Sequence, residues 1–122
     1  MSEWIRVTDL AALKRRKKQV VEVEGAEGEV QEIALFYVDG DVYAMNDICI
    51  HKQRRLHKGL VFQGNVICPG HQWAFDLKTG WVDEWAKCQP VYNVKIDGQD
   101  VYVDPTPKIR TTPPQENEKC PK

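Results

Sequence analysis

The chain has 122 residues and a formal net charge of −1, with 42% hydrophobic and 29% charged residues. This size and balance suit a single globular domain with a modest core and give no reason for binding nucleic acid or an anionic membrane. No stretch approaches the roughly 18 consecutive apolar residues of a membrane span. The start, Met1-Ser2-Glu3-Trp4, lacks the basic and apolar regions of a signal peptide, so we expect a cytoplasmic protein.

Alternation of apolar and polar residues with period two dominates the chain from Trp4 to Asp104 and predicts strands. The predicted strands, in chain order, are Trp4–Val7, Val20–Glu24, Glu32–Val38, Val42–Asn46, Val66–Cys68, Val91–Ile96 and Val101–Val103. Turn signals separate these runs, and Asp39-Gly40 is the best hairpin signal because glycine tolerates the positive φ of such turns. The pattern predicts an all-β fold, a small antiparallel sandwich or partly open barrel.

Two segments depart from this pattern. Five cations, Lys14 to Lys18, follow a Leu/Ala stretch long enough for one helical turn, and we interpret the cations as a solvated loop. From Pro105 to Lys122 the chain holds five of its seven prolines and little apolar material, so it buries too little surface to offset its ordering entropy. We therefore divide the chain into a domain over residues 1–104 and a flexible tail over residues 105–122.

The chemistry is concentrated in two short motifs. Cys49-Ile50-His51 is followed, after sixteen residues, by Cys68-Pro69-Gly70-His71, so each half supplies one thiolate and one imidazole. Two loops approaching from opposite sides would give two thiolates to one iron and two imidazoles to another, which is the ligand set of a Rieske centre. Both halves lie beside predicted strand ends, so the sheet would hold the two loops rigidly.

Two other interpretations of these four residues stay open. The same side chains would suit a structural zinc ion, although such sites usually pair cysteines with cysteines and histidines with histidines at short spacing. The residues would also be consistent with ordinary buried cysteines that lie near unrelated histidines. Metal content separates the three interpretations.

Residues 4–103 resemble the Rieske ferredoxins that serve bacterial oxygenases. The matching motifs are Val42-Tyr43-Ala44-Met45 before Cys49-x-His51, Leu56-x-x-Gly59, Cys68-Pro69-x-His71, Phe75-Asp76-Leu77-x-Thr79-Gly80 and Tyr92-x-Val94-x-Ile96-x-Gly98. The resemblance implies the Rieske-type fold, in which a subdomain of two loops binds one [2Fe-2S] cluster. It also carries the family's ligand roles onto Cys49, His51, Cys68 and His71 without a substitution.

The resemblance further implies a low reduction potential. Respiratory Rieske proteins have an extra cysteine in each ligand loop, and these form a disulfide; here Arg54 and Gly70 stand at those positions. Those proteins also place Ser and Tyr hydroxyls near the cluster sulfurs, where this chain has Trp73 and Phe75. Because donors to sulfur stabilise the reduced state, we expect a potential near the lower limit of the Rieske range, about −150 mV.

The first ligand loop is basic, although the family commonly has a small Gly-Ala-Pro-like stretch there. No acidic residue occurs between Asp47 and Asp76, a window that holds four cations, namely Lys52, Arg54, Arg55 and Lys58. We expect this patch to steer docking onto an acidic face of a partner, while the alternative is that these are solvated loop charges without a docking role.

The remaining chemistry favours an electron carrier over an enzyme. Once His51 and His71 bind the cluster, only His57 is left, too few histidines for the mononuclear iron site of an oxygenase subunit. No nicotinamide or flavin fingerprint is present, so electrons must come from another protein. Cys88 is expected to be a buried free thiol, Cys120 an exposed tail residue, and Trp81 and Trp85 core residues near the second ligand loop.

The leading prediction is therefore a free, monomeric shuttle between a reductase and a terminal oxygenase. An alternative is an accessory subunit of a larger enzyme such as assimilatory nitrite reductase, whose small subunits resemble this fold. A redox-sensing module is a third possibility, which no sequence feature supports. Stable co-purification with a large partner would favour the second possibility over the first.

Overall fold

The computed structural model describes residues 4–25, 28–50, 54–69 and 73–119. The helix is α1 (Leu10–Arg16), and the strands are β1 (Ile5–Asp9), β2 (Lys18–Glu24), β3 (Val30–Val38), β4 (Asp41–Asn46), β5 (Leu60–Phe62), β6 (Asn65–Ile67), β7 (Ala74–Asp76), β8 (Trp81–Val82), β9 (Lys87–Cys88), β10 (Val91–Tyr92), β11 (Val94–Asp97) and β12 (Asp100–Val103). Two 3₁₀ turns, Leu56–Lys58 and Glu116–Glu118, complete the described elements.

Among the described residues, the strands form antiparallel sheets that do not close into a barrel. Their orders are β1-β12-β11, β10-β4-β3-β2, β5-β6-β7 and the hairpin β8-β9. The turn between β3 and β4 has Asp39 at φ 50° and Gly40 at φ 87°, as expected for a tight hairpin. The predicted all-β, antiparallel fold is confirmed.

Strand β3 separates two hydrophobic cores because its side chains alternate between its two faces. Ile33 and Leu35 pack in the core that also contains Leu13 and Val103 of β12, whereas Ala34 and Phe36 pack towards the small sheet β5-β6-β7. The core that contains Ala34 and Phe36 also contains Cys49 and Cys68, so the central sheet directly supports the predicted ligand loops.

The helix α1 is longer than the single turn expected from the sequence. It begins after Asp9, whose Oδ1 accepts a hydrogen bond from the Ala12 N–H at 2.8 Å, and it ends at Arg16, before the C-cap residue Lys17, where φ is 70°. The interpretation of the basic run as a loop is therefore wrong for Lys14 to Arg16, which form the last turn of α1, and for Lys18, which begins β2. Cations are favourable there because they oppose the partial negative charge of the helix C-terminus.

The predicted strand over residues 91–96 is two strands. Val91 and Tyr92 pair with β4, whereas Val94–Asp97 pairs with β12, so the chain changes sheets at Asn93. Strands β5, β7, β8 and β9 were not predicted, since two or three residues are too few to show a period. Strand β6 is as short, but its β-branched residues beside the Gly64 turn predicted it as Val66–Cys68.

Residues 105–119 lie against the domain. The Gln31 side chain donates to the Pro105 carbonyl at 2.7 Å, Lys108 bridges to Val91, and Pro114 is buried. The flexibility expected for residues 105–122, and the domain boundary at residue 104, stay predictions.

Within the described ranges, none of the helices has the length and apolar composition to cross a membrane.

Candidate metal centre

The first ligand loop follows β4 and is held by backbone hydrogen bonds. The Cys49 N–H donates to the Arg54 carbonyl at 2.8 Å, and the Leu56 N–H donates to the Asp47 carbonyl at 2.7 Å. An isolated bridge pairs Ile48 with Arg55. These bonds fold the loop back on itself, and the Cys49 side chain is fully buried in the core.

The second ligand loop connects β6 to β7 in the small sheet. The Cys68 N–H donates to the Trp73 carbonyl at 2.8 Å, which continues the β6–β7 pairing beyond Ile67 and Ala74. Cys68 is 1% exposed. Thus each predicted cysteine ligand lies just beyond a strand, as expected from the sequence.

The structure brings the two cysteines together in one core cluster. Burial, and then a hydrogen bond and charge interaction with Cys49, raise the pKa of the Cys68 thiol to about 12, while Arg54 acts weakly in the opposite direction. Two buried adjacent thiols are costly to ionise in an apolar core unless a metal supplies compensating positive charge. The pair therefore suits two thiolate ligands of one iron.

The predicted histidine ligands His51 and His71 lie outside the described residues, as do Lys52 and Gly70. Across the described ranges, which omit residues 51–53 and 70–72, no group of three or more potential metal ligands occurs. The structure thus brings together Cys49 and Cys68, and the assignment of the two imidazoles stays a prediction.

Gln89 positions the first ligand loop, and the sequence analysis did not identify it. The side chain is fully buried, and its Nε2 donates to the carbonyls of Asn46 and Ile48, each at 2.7 Å. Its Oε1 accepts from the Ile50 N–H at 3.0 Å. One side chain thereby binds the backbone on both sides of Cys49. No local pattern signals this role, because the contacts span about forty residues of sequence.

A charged network lies beneath the same loop. The Asp47 side chain is fully buried. Its carboxylate contacts His57 Nδ1 at 2.9 Å and also accepts a hydrogen bond from the His57 backbone N–H. Arg55 binds Glu32 and lies 3.6 Å from Asp47. The hydrogen bond with Glu32 raises the pKa of the Arg55 guanidinium. His57 therefore stabilises the loop, and Arg55 has carboxylate partners on β3 and in the loop.

Aromatic residues surround the second ligand loop. Trp73 and Phe75 are buried in the same core cluster as the two cysteines and have no hydroxyl group. Trp81 is buried as expected, but Trp85 is 54% exposed, so its assignment to the core is wrong. Trp85 instead stacks on Trp73, with ring centroids 5.5 Å apart and planes inclined by 17°.

Cys88 is a buried free thiol, as expected. Its Sγ lies 3.3 Å from the Thr79 carbonyl and accepts from the Arg110 N–H at 3.4 Å. Burial raises the pKa of this thiol. Cys120 lies outside the described residues.

Comparison with known proteins identifies the family. The model of the Rieske [2Fe-2S] domain matches residues 3–103, and the chain belongs to this family. The ferredoxin component of the naphthalene 1,2-dioxygenase system of Pseudomonas aeruginosa is 38% identical over 108 residues, which span 84% of this chain and 95% of that protein.

Two solved structures show the same fold. The ferredoxin of carbazole 1,9a-dioxygenase from Nocardioides aromaticivorans IC177 superposes with a TM-score of 0.71 at 25% identity, covering 86% of this chain and all of that one. A candidate small subunit of an NADPH nitrite reductase gives a TM-score of 0.68 at 28% identity, covering 83% of this chain and 97% of that one. The predicted Rieske family and its [2Fe-2S] cofactor are confirmed, and the zinc interpretation is set aside.

Proposed function

We propose that this protein carries single electrons through a [2Fe-2S] cluster held by Cys49 and Cys68 at one iron and by His51 and His71 at the other. The observation that carries the proposal is the burial of both cysteines in one core cluster, with their thiols in contact. The bound cluster would supply reversible one-electron reduction. The protein's own residues hold the two loops in place, exclude water from the cysteines and keep the backbone rigid when the charge changes.

The electrons would pass from a reductase to a terminal oxygenase. The 38% identical relative is named as the ferredoxin component of a dioxygenase system, and its chain is matched over nearly its whole length. The arrangement suits a protein that exchanges electrons with partners and performs no reaction on a substrate. We further propose that the free protein is a cytoplasmic monomer.

A second candidate is the accessory subunit of a nitrite reductase, which the 28% identical structure supports. The ferredoxin role is favoured because identity to the ferredoxin component is higher. Size-exclusion chromatography of the protein isolated from its native cells distinguishes the two. A peak at the monomer mass, near 14.1 kDa, fits the shuttle, and stable co-elution with a large enzyme contradicts it.

The basic patch would guide docking onto an acidic partner face. Arg54 and Lys58 are exposed on the first ligand loop, and Lys52 belongs to the same loop by sequence. Arg55 contributes less, since its guanidinium binds Glu32. Exposed charges of one sign near the electron exit raise the encounter rate with a complementary face, most strongly at low ionic strength.

Stopped-flow electron transfer tests both parts of the proposal. The dithionite-reduced protein is mixed with an oxygenase of the naphthalene 1,2-dioxygenase type at salt concentrations between roughly 50 and 500 mM. We expect the rate to fall as salt rises, and Lys58→Gln to slow transfer at low salt only. Lys95→Gln, an equal charge change on β11, is the control. No transfer at any salt contradicts delivery to this type of oxygenase, whereas a rate independent of salt contradicts steering alone.

A further inference from the structure

We propose that residues 105–119, here called the strap, position the second ligand loop by holding the β8-β9 hairpin against it. The strap lies outside the residues matched by the family model. The inference rests on the proposed function, because it assigns Cys68 to the cluster. It also opposes the flexible-tail prediction for the part of the tail that the structure describes.

The strap is anchored at its start by backbone hydrogen bonds. The Lys108 N–H donates to the Val91 carbonyl at 2.7 Å, and the Val91 N–H donates to the Lys108 carbonyl at 3.1 Å. The Gln31 side chain binds the Pro105 carbonyl at 2.7 Å. These contacts fix the direction in which the strap leaves the main sheets.

The strap also has internal structure. The Arg110 guanidinium donates to the Thr112 carbonyl at 2.8 Å and to Glu118 at 3.2 Å. Around the 3₁₀ turn, the Gln115 N–H donates to the Glu118 carboxylate at 2.9 Å, and the Glu118 N–H donates to the Gln115 carbonyl at 2.9 Å. These bonds give the strap a defined path rather than a set of isolated contacts.

Two contacts join the strap to the β8-β9 hairpin. At the base of the hairpin, the Arg110 N–H donates to Cys88 Sγ at 3.4 Å. Near the tip of the hairpin, Lys119 Nζ lies 3.6 Å from the Asp83 carboxylate. A cavity of about 530 Å³ has walls that include Trp73 and Pro114, so the strap and the second ligand loop border the same space.

The hairpin in turn contacts the second ligand loop. Trp85 at its tip stacks on Trp73, and the Trp73 carbonyl accepts the Cys68 N–H at 2.8 Å. None of the described cysteines Cys49, Cys68 and Cys88 forms a disulfide, so packing and hydrogen bonds connect them to the rest of the described chain. The strap therefore reaches Cys68 through the hairpin, Trp85 and Trp73.

Charge reversal in the full-length protein tests the role of the strap. Arg110→Glu breaks the bond with Glu118 inside the strap, and Lys119→Glu places a negative charge beside Asp83 and repels the end of the strap from the hairpin. Trp85→Ala separates the hairpin from the loop while both strap cations are retained. Arg6→Glu, which reverses the exposed Arg6–Asp100 pair on β1, is the matched control.

The readouts are amide exchange at Cys68, the reduction potential, and the rate of cluster loss to a chelator. We expect the strap double variant and Trp85→Ala each to raise Cys68 exchange and cluster loss about tenfold and to shift the potential, with the control unchanged. If the double variant loses its fold, Lys119→Gln replaces it with the same expected direction.

The proposal is overturned if the folded strap variant matches the control in Cys68 exchange and in potential, or if only Trp85→Ala has an effect. Measuring exchange in the cluster-free and cluster-loaded protein separates this failure from failure of the proposed function. A protein that binds no [2Fe-2S] cluster contradicts the carrier role, whereas a loaded protein with unchanged exchange contradicts only the strap.

Discussion

Replacing Gln89 with leucine would remove the side chain that binds both flanks of Cys49. The substitution keeps the buried volume nearly constant but deletes two hydrogen bonds donated to Asn46 and Ile48 and one accepted from Ile50. Because Gln89 is fully buried, water does not readily replace its amide. We therefore expect both a loss of stability and a looser first ligand loop.

The size of the effect follows from the groups left behind. Each buried carbonyl deprived of its donor costs about 1–3 kcal/mol, so two carbonyls cost about 2–6 kcal/mol. The Ile50 N–H is not counted, because Ile50 is 43% exposed and water reaches its backbone more easily. A domain of this kind has a total free energy of unfolding of about 5–15 kcal/mol, so the loss is a large fraction of it.

Gln89→Glu separates the hydrogen bonds from packing. A carboxylate at this position faces two carbonyl oxygens and cannot donate, whereas its protonated form donates once. Burial and these oxygens raise the pKa of the introduced acid in the folded state. Its stabilising form is therefore present at low pH and is lost as pH rises through the folded-state value, so the deficit of this variant should shrink on acidification.

Urea unfolding and chelator-driven cluster loss measure the two effects. Gln19→Leu is the control, because it makes the same substitution at a partly buried glutamine on β2. The Gln19 side chain accepts one hydrogen bond from the Thr8 hydroxyl, at 3.0 Å. A Gln89→Leu variant within about 0.5 kcal/mol of wild type, with unchanged cluster loss, would refute the reasoning.

Three further predictions concern Gly59, Phe75 and Tyr92. Gly59→Ala should cost about 1–3 kcal/mol in urea unfolding, because the new Cβ would lie 2.1 Å from the Ile67 carbonyl oxygen; an unchanged midpoint contradicts this. Phe75→Tyr should raise the potential above about −150 mV in a redox titration, since a hydroxyl near the cysteines stabilises the reduced state; an unchanged or lower value contradicts it. Burial raises the pKa of the Tyr92 hydroxyl, so the protonated hydroxyl contributes to stability below pH about 10, and this contribution is lost at higher pH. Tyr92→Phe should therefore reduce the loss of stability at alkaline pH, and a pH profile identical to that of the wild type contradicts the prediction.

The longer strands were predictable from the sequence because they alternate over many residues. In β3, Ile33 and Leu35 face one core while Ala34 and Phe36 face the other, so these four positions are apolar because both faces of the strand are buried there. Strands β5 and β7 of the small sheet and the β8-β9 hairpin are too short to show a period. Their positions depend on long-range packing, which local patterns do not record.

The meeting of the two cysteines was predictable because cluster binding requires specific residue types at specific spacing, while the histidine ligands stay a prediction. Cys49 and Cys68 meet in the core as the motif indicates. Gln89 was not predictable, since a glutamine between two short strands has no local signature and acts through contacts distant in sequence. Trp85 was misassigned for a related reason: its stacking on Trp73 satisfies one face of the ring and leaves the rest exposed.

Electron paramagnetic resonance of the dithionite-reduced protein, at low temperature, tests the central claim most directly. Ligation by Cys49, Cys68, His51 and His71 predicts a red-brown protein whose reduced form gives a one-electron signal with the low average g value of mixed cysteine and histidine ligation. His51→Cys and His71→Cys variants should each change that signal or lose the cluster. A wild-type signal typical of all-cysteine clusters, or a colourless protein containing zinc, would contradict the assignment.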